Sequence, residues 1–188
     1  HIHTPLARDQ MFGRLLHGLE LTEDNLAEAR NLRFDLHKNV YQLSLIQPDK
    51  PEKAARQLNV DAPLLYFMLY NMTEELASEE RQTQVFSLPD GRTAILAAGD
   101  VKQSLEAAQL KLCRWVQETV SNTLQIEIAV GMGHVVPAVS EIRHSFRMAE
   151  DALEFRFVYP GTSIITPDIL KHERQPVNHP LQIEEELL

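Results

Sequence analysis

The sequence is poor in cysteine, in aromatic residues and in positive charge. Cys113 is the single cysteine among 188 residues, so no internal disulfide forms and we expect a reducing, cytoplasmic setting. Lysine and arginine number 18 against 27 acidic residues, which gives a formal net charge of −9 at pH 7. Phosphate groups are bound by clustered basic side chains, so this balance argues against direct contact with nucleic acid or an anionic membrane surface.

Long apolar stretches are also absent. No run approaches the roughly 20 residues that span a bilayer, and no signal peptide opens the chain. A chain of this length buries roughly 70% of its unfolded surface, so one domain folds without a disulfide or a metal. The chain begins at His1 and ends at Leu188 after three glutamates, and we expect it to be a piece of a longer protein.

Hydrophobic spacing predicts alternating helices and strands. Helices are expected over about 7–18, 22–33, 61–80, 101–121 and 138–157, and strands over 40–46, 84–88, 92–96, 126–130 and 162–165. Thr22 and Asp61 are predicted N-caps, and Asp90-Gly91 is a hairpin turn because both residues tolerate positive φ. The order α-α-β-α-β-β-α-β-α-β predicts an α/β (α+β) fold, a five-stranded sheet flanked by helices.

Apolar residues three and four apart identify the helix faces that should be buried. In the helix that starts at Asp61 they are Leu65, Met68, Leu69, Met72 and Leu76. In the helices over 101–121 and 138–157 they are Leu105, Ala108, Leu112, Val116, Val120, Ile142, Phe146, Ala149 and Leu153. Residues 48–60 read as a connection with one short helix, and an acidic helix is expected after Pro180.

Metal-binding and nucleophilic motifs are missing. The histidines beyond the first three residues show no His-x₃-His spacing and are His17, His37, His134, His144, His172 and His179. Cys113 falls in mid-helix and is interpreted as a buried, inert thiol. Gly131-Met132-Gly133 fits a strand-end turn better than a phosphate loop. We therefore predict no catalytic, cofactor-binding or metal-binding residue and no cofactor.

Two surface features leave alternatives open. Arg143, Arg147 and Arg156 alternate with acidic residues on one helix, which favours a solvated mixed face over an anion-binding or partner surface. The aromatic residues of the same region and of the preceding helix indicate either an exposed partner patch or partial burial. They are Trp115, Phe155, Phe157 and Tyr159.

The element order and several strings resemble a GGDEF domain across most of the chain. Residues 44–49, Ser-Leu-Ile-Gln-Pro-Asp, stand where that family's first strand ends in an acidic stretch. Residues 88–96, Leu-Pro-Asp-Gly-Arg-Thr-Ala-Ile-Leu, stand on its signature hairpin. The strings at 126–131, 145–156 and 161–165 resemble its late strand, final helix and closing strand.

More narrowly, residues 8–16, 70–75 and 145–157 resemble the degenerate GGDEF-like domain of YesN-type AraC-family response regulators. PucR- and CdaR-like regulators, which carry a related domain, stay open as an alternative. The resemblance implies a receiver domain before this region and a helix-turn-helix pair after it. It divides the chain into a linker helix over 1–20, the degenerate GGDEF-like domain over 21–167 and a connector over 168–188.

Three of the family's catalytic carboxylates have no counterpart in this alignment. The strand-end metal position falls on Gln47, and Asp49 keeps only the second acidic position. The hairpin's aspartate and glutamate fall on Gly91 and Arg92, and its two glycines on Pro89 and Asp90. A shift by one residue would bring Asp90 into the aspartate position but would misalign Ala-Ile-Leu. The Arg-x-x-Asp inhibition motif is absent as well, because Glu80-Arg81-Gln82-Thr83 stands there.

The resemblance therefore implies a non-catalytic domain of a cytoplasmic transcription regulator. It would relay a signal to the DNA-binding domains through neighbouring domains or a homodimer, with helices 7–18 and 180–188 as couplers. A sensor of a nucleotide or other small molecule, with Arg92 attracting an anion, is the alternative. An active diguanylate cyclase is disfavoured, because Mg²⁺ needs carboxylate ligands.

Overall fold

The computed structural model describes residues 5–18, 20, 22–80, 82–158 and 163–173. Its helices are α1 (Pro5–Leu15), α2 (Glu23–Asn31), α3 (Pro51–Leu58), α4 (Ala62–Ala77), α5 (Lys102–Leu124), α6 (Ile142–Val158) and α7 (Pro167–Glu173). Its strands are β1 (Val40–Pro48), β2 (Thr83–Ser87), β3 (Thr93–Gly99), β4 (Ile128–Met132) and β5 (Ile164–Ile165). A short 3₁₀ turn over Val139–Glu141 leads into α6.

The five strands form one sheet in the order β2-β3-β1-β4-β5. All neighbours are antiparallel except β4 and β5, which are parallel. The central position of β1 explains why Val40-Tyr-Gln-Leu-Ser-Leu-Ile46 is apolar on both faces. The predicted sheet flanked by helices is confirmed.

Helices cover both faces of the sheet. One buried cluster joins Met11, Phe12 and Leu15 of α1 to Leu43 of β1 and Leu153 of α6. The cluster on the other face joins α4 and α5 to the alternate residues of the strands. The first cluster therefore holds α1 and α6 on one face of the sheet, and the second holds α4 and α5 on the other.

Local signals in the sequence account for the helix starts. The Thr22 hydroxyl accepts a hydrogen bond from the backbone N–H of Asn25, and the Asp61 carboxylate accepts one from Leu64. Each bond satisfies a donor that the first turn would otherwise leave unpaired. Both predicted N-caps are confirmed.

Several predicted faces were wrong in detail. In α4, Met68, Met72 and Leu76 are half-buried, and the fully buried row turns toward Tyr70, Thr73 and Ala77. In α5 Ala108 is exposed and Gln109 is buried, and in α6 Phe146 is half-buried beside the buried Ser145. The polar residues sit inside because they have partners: the Gln109 amide donates to Ser44 Oγ and Ile95 O, and Ser145 Oγ donates to His134 O.

The element ends also differ from the expectation. α1 stops at Leu15 rather than at Gly18, and β1 continues to Pro48. Helix α7 was not predicted, and the expected strand over 162–165 is described only at Ile164–Ile165. The predicted break at 159–161 and the acidic helix after Pro180 lie outside the described residues. Within the described ranges no helix is long and apolar enough to cross a membrane.

Candidate functional site

The β2–β3 hairpin closes as its sequence predicts. The backbone N–H of Leu88 donates to Arg92 O, and that of Gly91 donates to Leu88 O, both at 2.9 Å. Gly91 has φ +93°, a backbone conformation that residues other than glycine rarely adopt. The Asp90 carboxylate accepts from the Arg92 backbone N–H at 3.0 Å and from its Nε at 2.7 Å. The turn is therefore held by both the backbone and an ion pair.

A tyrosine ring fills the space in front of the hairpin glycine. A Cβ atom placed on Gly91 would lie 2.6 Å from Cδ2 of Tyr66, a residue of the first turns of α4. The missing side chain thus admits an aromatic ring from this chain. On the α4 side, the hairpin backbone is already covered.

Arg92 holds the hairpin to α6. Its Nη2 donates to Glu150 Oε2 at 3.0 Å, and its guanidinium lies 5.9 Å from the centroid of the Phe146 ring. With Asp90 on its other side, the guanidinium lies between two carboxylates and over one aromatic face. Only 19% of the side chain is exposed. Its charge is offset within the domain, which weakens the expectation that it attracts an external anion.

The end of β1 carries a second arginine–carboxylate pair. Arg156 Nη1 lies 3.2 Å from Asp49 Oδ1, and Arg156 Nη2 donates to Asp49 O at 2.8 Å. Arg156 is 6% exposed, so the prediction that it lies on a solvated helix face was wrong. Burial is possible here because the aliphatic part of the side chain packs in the interior and the guanidinium is paired with Asp49. Arg143 and Arg147 are exposed, as predicted.

The residues singled out by the sequence come together at one end of the sheet. Ile46 of β1 pairs with Thr93 of β3, so Gln47 and Arg92 follow at the same end. Alternation along each strand points both toward the face covered by α6. The carboxylates of Asp49, Asp90 and Glu150 each form an ion pair with an arginine here. Within the described residues, no group of three or more His, Cys, Asp or Glu side chains is placed to hold a metal ion.

Gly131 of β4 and Gly133, which follows that strand, allow α6 to approach the sheet closely. A Cβ atom on Gly131 would meet the backbone oxygen of Ala149, and one on Gly133 would meet that of Ser145. Gly131-Met132-Gly133 therefore serves helix–sheet packing. This close approach places Phe146 and Glu150 within reach of Arg92.

Cys113 is fully buried between α5 and the sheet. Burial raises the pKa of its thiol to about 12, an effect that a hydrogen bond with Ser44 partly opposes. The thiol stays protonated at neutral pH, which agrees with the predicted inert role.

The other candidates do not converge. His134 is half-buried, and its Nδ1 lies 3.2 Å from Met148 Sδ. Burial lowers the pKa of its imidazole, and the nearby His144 lowers it further. Trp115 is 50% exposed on α5, whereas Phe155 packs beside α7 on the opposite face. They form no common aromatic patch, and the side chains of Phe157 and Tyr159 lie outside the described residues.

The N-terminal helix contributes contacts that sequence reasoning missed. Arg8 Nη1 lies 2.7 Å from Glu74 Oε1 on α4, and its guanidinium lies 5.7 Å from the Tyr70 ring centroid. The Asp9 carboxylate accepts from the backbone N–H of Ser87 at 3.2 Å, on the free edge of β2. These pairs join residues more than 60 positions apart, for which the sequence holds no local signal.

Comparison with known proteins assigns the family. The family model described as "GGDEF-like domain" matches residues 18–155. The chain belongs to the GGDEF-like domain family. The matched range contains Gln47, Asp49, Gly91 and Arg92, so the site lies inside the GGDEF-like region, whereas α1 precedes it.

Among solved structures, this GGDEF-like domain is similar to the FimX GGDEF domain from Pseudomonas aeruginosa. The identity is 17%, the TM-score is 0.49, and the likeness covers 76% of this chain and 89% of that chain. No curated protein matches the sequence.

Proposed function

We propose that this GGDEF-like domain is a non-catalytic regulatory and interaction domain of an AraC-family response regulator of the YesN type. Within that protein it would relay the state of a preceding receiver domain to a following helix-turn-helix pair. The observation that carries the non-catalytic part is Arg92. Its positively charged guanidinium lies at the end of the sheet and is bonded to Asp90 and Glu150.

The electrostatics of this end of the sheet disfavour metal-dependent chemistry. A hard divalent cation with a triphosphate needs several free carboxylate oxygens. Gln47 supplies an amide instead, and Asp49 is bonded to the buried Arg156. A metal ion at Asp49 or Asp90 would have to displace the arginine that already pairs with that carboxylate, and the domain would lose that ion pair.

The packing of α1 supports a role in signal relay. Arg8 and Asp9 bind α4 and β2, and the Phe12 ring stacks on Phe86 with the centroids 5.1 Å apart. A helix held by ion pairs and by buried rings moves with the sheet as one body. Displacement of a preceding domain would thus reach the hairpin end directly, and residues 168–188 would continue toward the DNA-binding part.

Catalysis is tested by incubating the purified chain with GTP and Mg²⁺ or Mn²⁺. We expect no cyclic dinucleotide above the level of a protein-free control. An active diguanylate cyclase assayed in parallel shows that the conditions support the reaction. Product formation that disappears in an Arg92→Ala variant would overturn the non-catalytic assignment.

Relay is tested in the full-length parent protein by comparing promoter binding with and without phosphorylation of the receiver. Arg8→Gln removes the ion pair with Glu74 and leaves the packing of Phe12 in place. We expect a smaller difference in promoter affinity between the two phosphorylation states. Arg147→Gln, on an exposed part of α6, is the matched control. An unchanged difference in the Arg8 variant would contradict relay through α1.

A further inference from the structure

A groove runs between α1 and the β2–β3 hairpin, on the side of the hairpin opposite Tyr66. It measures about 1030 Å³ and has an apolar floor that includes Leu16, Leu88 and Phe146. Leu16 and Leu88 are buried and the Phe146 ring is half-buried, so the ring supplies a surface for stacking. Small-molecule sites of this size are typically apolar with a few polar groups.

A glycine keeps the groove open. Gly13 lies in the interior of α1, where glycine weakens a helix relative to alanine. It has no positive φ, and a Cβ atom added to it would meet no atom within 4 Å. Neither the backbone conformation nor packing within the domain requires glycine at this position. Its effect is to leave one position of the α1 wall of the groove without a side chain.

The charges of the groove favour a hydrogen-bond donor over an anion. Asp90 and Arg92 neutralise each other, and Arg14 and His17 lie at the solvated rim, where water and salt screen them. Asp9 is half-buried and uses Oδ1 to accept from Ser87, which leaves its second oxygen for another donor. Burial raises the pKa of this carboxyl above its ordinary value, and a bound donor would oppose that shift.

We propose that this groove binds a small molecule with a flat apolar ring and a hydroxyl or amine group. The ring lies over Gly13 and against Phe146, and the polar group donates to Asp9. The overall charge of −9 favours an amine over an acid. The site goes beyond the proposed relay role and does not depend on the identity of the parent regulator.

Three probes with one ring system test the proposal: tryptamine, uncharged 3-ethylindole and anionic indole-3-propionate. Binding to the whole chain is followed by amide chemical shifts in NMR titrations. We expect the shifts to centre on Gly13 and the hairpin. Tryptamine should bind about fivefold tighter than 3-ethylindole, because it adds one charge-assisted hydrogen bond at a half-exposed site. Indole-3-propionate should bind most weakly.

Two variants separate the ring contact from the polar contact. Gly13→Leu fills the groove with a residue that favours helix, so we expect the affinity for all three probes to fall about tenfold or more without loss of fold. Asp9→Asn keeps an oxygen for Ser87 and removes the charge, and should abolish the preference for tryptamine. Phe67→Ser, at an exposed ring of α4, should leave binding unchanged.

Several results would overturn the assignment. Shifts centred on Phe67 or Trp115 would place the probes on another surface. Equal affinity for wild type and the folded Gly13→Leu variant would exclude the groove, and so would the absence of binding by every probe. Tighter binding of indole-3-propionate would reverse the assigned charge preference.

Discussion

The two sides of the β2–β3 hairpin use glycine in opposite ways. On the α4 side, Gly91 admits the Tyr66 ring, and a Cβ atom there would lie 2.6 Å from it. On the α1 side, Gly13 faces the groove, and a Cβ atom there would touch nothing within 4 Å. One glycine allows close packing inside the domain, whereas the other leaves a surface unfilled.

This difference shows that a glycine in the sequence does not by itself indicate which structural role it has. Gly91 also has φ +93°, so both backbone and packing require glycine at that position. At Gly13 neither does. The closed side is thus explained by the stability of the domain, and the open side needs a function to explain it.

The largest effect is expected at Gly91. Gly91→Ala adds the strain of positive φ to a clash with Tyr66, and should lower the free energy of unfolding by about 3 kcal/mol. Denaturation in urea measures the loss. In a Tyr66→Ala background the clash is gone and only the backbone strain should remain. An equal loss in both backgrounds would mean that the ring does not constrain this turn.

The arginine at the hairpin should come next. Arg92→Gln removes its charge-assisted bonds to Asp90 and Glu150, and should cost about 1–2 kcal/mol of unfolding free energy, because both partners are partly solvated. Arg147→Gln, on the exposed face of α6, should change it by less than about 0.5 kcal/mol. Similar losses for both variants would show that Arg92 does not hold α6 to the hairpin.

The buried thiol of Cys113, on the face of the sheet covered by α4 and α5, predicts that the free energy of unfolding falls at alkaline pH. The pKa of Cys113 is about 12 when folded against 9.0 for an ordinary thiol, so above pH 9 the unfolded chain releases a proton that the folded chain keeps. Unfolding free energy should then fall by up to about 1.4 kcal/mol per pH unit from this group.

Cys113→Ala removes that dependence while adding a cavity cost that does not vary with pH. The readout is therefore the slope of unfolding free energy between pH 9 and 10, measured in urea at each pH. Burial also raises the pKa of Tyr41 to about 12, but this contribution is common to both proteins and cancels in the comparison. Identical slopes would show that Cys113 is not buried in solution.

The smallest effect is expected at Gly13, with the opposite sign. Gly13→Ala should raise the free energy of unfolding by about 0.5–1 kcal/mol, because alanine favours helix and nothing clashes with its methyl group. Denaturation in urea, run beside Gly91→Ala, measures the pair under one set of conditions. A destabilised Gly13→Ala variant would indicate that this turn of α1 is packed, and the contrast between the two glycines would fail.

Much of the fold follows from local patterns. Thr22 and Asp61 act as N-caps, Asp90-Gly91 turns the hairpin, and β1 is central because it is apolar on both faces. Each signal lies within a few residues of its effect, because capping and turn geometry are local hydrogen-bond problems. These were predicted correctly for that reason.

The failures involve polar residues whose partners are distant in the chain. Arg156 looked like part of a solvated face, and is buried because Asp49 lies 107 positions away at the end of β1. Gln109 is buried where Ala108 was expected to be, because Ser44 Oγ and Ile95 O accept hydrogen bonds from its amide. A helical pattern separates apolar from polar residues, but it does not show which polar side chain finds a buried partner.

The sequence by itself determined most of the order of elements and the hairpin turn, and it places Gln47, Gly91 and Arg92, none of them acidic, at the end of β1 and in the hairpin. Those are matters of residue type and local spacing. Only the tertiary structure decided that Arg92 lies between Asp90 and Glu150, and that Gly91 is covered whereas Gly13 is open. The physical reason is that ion pairing and close packing depend on distances between atoms of different elements, which are set only when the helices pack on the sheet.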